Sequence, residues 1–159
     1  MVFVATSIVV PIALYYLIPK ILHTNEGRRL LLLACIAYAV SWYLPSPLVN
    51  GQDTSFGTHF LGGGVFSGLL GLYLCRAKGR QMSWQWEAVL LFALVSALGS
   101  LNELFEVLLW SLDLMPEGIL DTSWDIVAKT LGATAFYMIY RLYIHIQSRY
   151  SPADDRRNR

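Results

Sequence analysis

Charge is scarce in this chain. Only 14% of its 159 residues are Asp, Glu, Lys or Arg, where ordinary soluble domains carry about 25%. Meanwhile 55% are hydrophobic and the mean hydropathy is +0.48, which argues against a water-soluble monomer. The 12 Lys and Arg stand against 11 Asp and Glu, a formal net charge of +1. The excess positive charge that neutralises a phosphate backbone is missing, and nucleic acid is set aside as a partner. There are only two cysteines, Cys35 and Cys75. Each lies in an apolar run, so they read as small hydrophobes and not as a disulfide framework or a CxxC metal site. The chain also has no HExxH metal motif, no GxSxG nucleophile turn and no phosphate-binding loop. Its glycine cluster, Gly62-Gly63-Gly64, lies in an apolar stretch and lacks the Lys-Ser/Thr ending such a loop needs.

What the chain has is long apolar runs. A helix needs about 20 apolar residues to cross a hydrocarbon core about 30 Å thick. Five stretches come near this length, at about 2–22, 30–48, 58–76, 84–112 and 124–146. The first carries Pro11 and is followed, not preceded, by Lys20, His23, Arg28 and Arg29, which reads as an anchor and not as a cleavable signal peptide. The second ends in Trp42, Tyr43 and the Pro45-Ser46-Pro47 break, an aromatic belt followed by a stop. In the third, Gly64 and Gly68 are four apart and offer a smooth face for close packing, either within one subunit or between two. The expected fold is all-α, a single five-helix membrane domain over 1–148, with a disordered charged tail at 149–159.

The connections after the first and third spans hold Lys20, Arg28, Arg29, Arg76, Lys78 and Arg80, and the chain ends in Arg149, Arg156, Arg157 and Arg159. The opposite connections, about 49–57 and 113–123, contain no Lys or Arg. The positive-inside rule then puts the N-terminus outside and the C-terminus in the cytoplasm of a bacterial-type inner membrane.

Charged groups at membrane depth are costly and need a reason. If the fourth helix reaches the outer interface near Leu112, a rise of about 1.5 Å per residue puts Glu106 roughly 9 Å and Glu103 roughly 14 Å below it. The fifth helix descends from the same interface with Asp125 near its top and Lys129 at roughly 6 to 8 Å depth. His59 tops the third. Glu103 and Glu106, three apart, share a face, as do Asp125 and Lys129, four apart. Asp121 suits an N-cap for the fifth helix. Thus His59, Asn102, Glu103, Glu106, Asp121, Asp125 and Lys129 gather in one half of the bilayer from three segments of chain.

Such a cluster has three chemical uses. A divalent metal could take His59, Glu106 and Asp125 and activate water for hydrolysis. Carboxylates in a poorly solvated site, Glu103, Glu106 and Asp125, could divide the roles of acid and base. Proton or cation passage is the third, but the inner half of the spans offers few polar groups to continue a path.

Three segments, Thr58-His59-Phe60, Asn102-Glu103-Leu104-Phe105-Glu106 and Asp121-Thr122-Ser123-Trp124-Asp125, followed by Leu131-Gly132-Ala133, resemble the YjdF-like bacterial inner-membrane proteins. Through them the chain is similar to the broader VanZ-like family. The resemblance covers about 53–141 and implies the fold, the topology, a link to the cell envelope and His59, Glu103, Glu106, Asp121 and Asp125 as characteristic polar positions. It departs from the family at Ser55, where an Asp is usual a turn before the His, and at Lys129, where relatives carry a small or amide residue. The expected function is a small envelope enzyme acting on a lipid-linked or amphipathic substrate. The alternative is a non-catalytic pocket for a lipid head group, a cation or a partner helix, with Lys129 paired to the carboxylates.

Overall fold

The computed structural model describes residues 2–49, 52–79, 82–112 and 122–150. Five helices follow the five apolar stretches: α1 (Val2–Leu22), α2 (Arg28–Ser41), α3 (Phe56–Ala77), α4 (Trp84–Ser111) and α5 (Thr122–Tyr150). Apart from a two-residue antiparallel ladder, Leu48–Val49 with Gln52–Asp53, the described chain is helical. Two helices, α3 and α4, are long and apolar enough to cross a membrane, and α1 adds a shorter apolar helix over Thr6–Leu22. Most of the apolar side chains along α4, among them Val89, Phe92, Leu101, Leu104 and Val107, are more than half exposed. A helix left so open in the protein has no core of its own to face.

The second stretch ends earlier than its hydropathy suggests. The sequence predicts a span to Leu48, whereas α2 stops at Ser41 after 14 residues, about 21 Å at 1.5 Å per residue. Tyr43 and Leu44 turn their amides back to the carbonyls of Val40 and Ser41, and the Ser41 hydroxyl donates to Tyr38 O at 2.7 Å. Beyond them Pro45 and Pro47 have no amide hydrogen to continue a helix and hold their predecessors extended. The freed segment folds back across the top of α3. Thr54 Oγ1 donates to Pro47 O at 2.9 Å, Gly57 N–H to Ser46 Oγ at 3.0 Å and Thr58 Oγ1 to Ser41 O at 3.1 Å. These bonds fix where α3 begins, and therefore where His59 stands.

Toward the opposite end, Leu31, Ala34 and Cys35 of α2 pack on Phe66, Leu69, Leu70 and Tyr73 of α3, with Leu14, Tyr15 and Ile18 of α1 against them. Cys35 and Cys75 are both free thiols. Tyr137 Oη donates to Trp84 O at 2.6 Å, and Arg141 lies 3.5 Å from Glu87, which ties the start of α4 to α5.

The glycine face of α3 is used inside this one chain. A Cβ at Gly62 would strike Ser41, one at Gly63 the Lys129 side chain, and one at Gly68 the ring of Phe136. At Gly64 the obstacle is the backbone of Lys129, Gly132 and Ala133, and at Gly132 it is the Phe60 carbonyl. α3 and α5 thus meet backbone to backbone, as small-residue faces permit.

Candidate metal centre

α3 is not a uniform α-helix. After one turn at Phe56–Thr58 it runs as a π-helix through His59–Val65 and becomes α-helical only from Phe66. A π segment has wider i→i+5 turns and commonly marks a functional position. Here it covers the stretch that lies against α5, with His59 at its first residue.

The π segment brings His59 to Asp125 of α5, with Nε2 and Oδ1 3.0 Å apart. At that distance the pair reads as an ion pair when the imidazole is protonated. Apart from that imidazole, Asp125 Oδ1 is buried with no hydrogen-bond donor among the described residues. Asp125 is 2% exposed, and burying an unsatisfied carboxylate oxygen is expensive. A cation shared by the two side chains would account for both facts. Ligand bonds of 2.0–2.2 Å at tetrahedral angles hold neighbouring donor atoms roughly 3.3–3.6 Å apart with no hydrogen between them.

Glu106 of α4 completes the group: one donor atom each from His59, Glu106 and Asp125 lie within 4.8 Å of one another. Asn102, one turn back on α4, donates Nδ2–H to Glu106 Oε1 at 2.6 Å and orients the carboxylate. A second residue that holds a ligand in place in this way is typical of metal sites.

Glu103 and Lys129 form a separate pair. Lys129 is 4% exposed. Its stem runs past Gly63 and Gly99, and Nζ reaches Glu103 Oε1 at 2.6 Å. Among the described residues no ion pair joins Lys129 to Glu106 or Asp125, so its charge is matched to one carboxylate and leaves the other two to His59. Replacing Lys129 with Met should cost about 3 kcal/mol, the low end for a broken buried pair because Glu103 keeps some contact with solvent. The double replacement Glu103→Gln/Lys129→Met should regain most of that loss in thermal unfolding of detergent-purified protein. Additive losses would show that the two groups do not interact.

Of the residues singled out by sequence, the structure brings together His59, Asn102, Glu106 and Asp125, with Glu103 and Lys129 beside them. Asp121 lies outside the described residues. Ser111 donates back to Leu108 O at 2.7 Å, as hydroxyls in apolar helices commonly do. Ser41 was not singled out, yet it is fully buried against Gly62 and accepts Thr58 at its carbonyl. Its position just before Trp42 and the proline break was the signal available.

Comparison of the chain with models of protein families, with curated proteins and with solved structures found no match. The chemistry of the site therefore rests on its own geometry.

Proposed function

We propose that the chain is a multi-pass membrane protein of five spans, its Arg- and Lys-rich connections cytoplasmic, and that His59, Glu106 and Asp125 hold a divalent cation in the outer half of the membrane. The observation that carries this reading is the convergence of the three donor atoms around a buried carboxylate oxygen that no hydrogen bond satisfies. One nitrogen and two oxygen donors suit zinc or manganese. Three protein ligands leave a position for water, which such a cation makes a nucleophile at neutral pH. The function that follows is hydrolysis of an ester or phosphoester on a lipid-linked substrate, which reaches the site from the surrounding bilayer. Glu103, fixed by Lys129 one turn below Glu106, flanks the reacting region.

The second reading is a non-catalytic cation or head-group pocket. The Lys129–Glu103 and Asn102–Glu106 pairs favour it, because mutual pairing is how a structural network satisfies itself.

The test is turnover of phospholipid and polyprenyl-phosphate esters by the purified full chain in lipid nanodiscs with manganese or zinc. Metal-dependent hydrolysis that falls by about 10²- to 10⁴-fold in Glu106→Gln, while the variant stays folded, supports the enzyme. Tight metal binding with no turnover on either substrate class supports the second reading.

A further inference from the structure

A second polar site lies at the other end of α3. His59 and Arg76 stand 17 positions apart, near the two ends of the helix. Here Arg28, Arg29 and Arg76 come together with Asn25, Gly27 and Leu30 around an open cleft of about 360 Å³, within the range of about 300–1,000 Å³ typical of small-ligand sites.

Three features make this more than a cluster of surface charge. None of the three arginines takes part in an ion pair among the described residues. Arg28 is held in place, its guanidinium 4.6 Å from the Tyr15 ring centroid and its Nη1 donating to Asn25 Oδ1 at 3.3 Å, yet its buried Nε–H has no acceptor. Finally, α2 begins at the cleft on Gly27 in the left-handed conformation, φ 70°, with no side-chain cap, so the positive end of its dipole borders the same space. Alanine at Gly27 would be strained by that φ and would press on the Tyr73 ring.

We propose that this cleft binds a phosphate group. Planar guanidinium forks beside a helix N-terminus that no side chain caps match phosphate oxygens in both geometry and charge. The carrier is either an anionic phospholipid head group, which the ends of the apolar helices place within reach, or a soluble phosphorylated compound. This inference is independent of the metal centre.

The purified full chain in a neutral detergent is titrated with phosphatidylglycerol in one arm and inorganic phosphate in the other. Saturable binding to phosphatidylglycerol alone identifies a lipid site, and saturation by inorganic phosphate identifies a soluble ligand. Arg29→Gln/Arg76→Gln changes two exposed side chains and should weaken the active probe by about tenfold or more. Lys20→Gln/Lys78→Gln removes the same charge from exposed positions that do not line the cleft, and should change binding by less than about threefold. Arg29→Lys/Arg76→Lys keeps the charge without the fork and should fall between the two. Equal losses in the Arg→Gln and Lys→Gln variants, or no saturable binding of either probe, would overturn the proposal.

Discussion

Replacing Asp125 with Asn should lower affinity for zinc or manganese by about 100-fold or more, since loss of a ligand exceeds the 10- to 100-fold cost of losing one of its supporting bonds. Asparagine keeps the shape but removes the charge whose buried oxygen has no hydrogen-bond donor. The same change removes the charge that faces His59 at 3.0 Å, so the unfolding temperature without metal should fall by what that pair contributes. In the native chain, metal at about 100 times its Kd should add about 2.7 kcal/mol of stability, and in Asp125→Asn the same concentration should add about 0.4 kcal/mol or less. His59→Ala should lose the metal equally. Glu103→Gln should keep affinity within about threefold, because its partner is Lys129 and not the cation. Metal content after dialysis, by inductively coupled plasma mass spectrometry, and calorimetric titration read all three variants. Stoichiometric metal retained in Asp125→Asn would remove Asp125 from the ligand set.

The other large effect concerns the packing that brings the ligands together. Gly64→Val should cost more than about 4 kcal/mol and leave little folded protein, because its new atoms meet backbone that cannot swing aside. A Cβ there would lie 2.7 Å from Ala133 N and 2.7 Å from Gly132 Cα, with the Lys129 carbonyl closer still. Gly71→Ala, further along the same helix, is the control. Its Cβ would meet only Leu94 Cδ2 at 3.5 Å, an ordinary contact, and alanine in a helix interior gains up to about 1 kcal/mol. Thermal unfolding of the two variants in detergent should therefore move in opposite directions. Any Gly64→Val protein that does fold should bind metal weakly, since forcing α3 from α5 draws His59 from Asp125. Equal behaviour of the two variants would mean that α3 and α5 do not meet as closely as the glycines imply.

The two proposed sites lie at opposite ends of α3 and differ in how far the sequence foretold them. Arg28, Arg29 and Arg76 enter a sequence reading only as loop charge, a count that orients a chain in a membrane. Their grouping depends on α2 starting beside the end of α3, and the Gly27 turn that arranges this carries no mark in the hydropathy. His59, Glu106 and Asp125 were more legible. The i, i+3 spacing of Glu103 and Glu106 and the i, i+4 spacing of Asp125 and Lys129 put polar stripes on two helices, and charge in an apolar run draws notice wherever it falls.

Periodicity, hydropathy and loop charge are local properties, set by neighbours along the chain. From them the sequence by itself determined the all-helical character, the places of the five helices and the gathering of polar residues toward one end. It overran α2, because hydropathy does not register the lost amide hydrogens of Pro45 and Pro47 or the hydroxyl of Ser41 turning back on Tyr38. Which carboxylate meets which cation was decided only in the tertiary structure. Glu103 and Glu106 are equivalent by spacing, but the rotation of each helix sends Lys129 to the first and His59 and Asp125 to the second. That rotation follows from the π segment at His59–Val65 and from the contact of Gly64 with Gly132, features whose energies come from residues far apart in the chain and close in space.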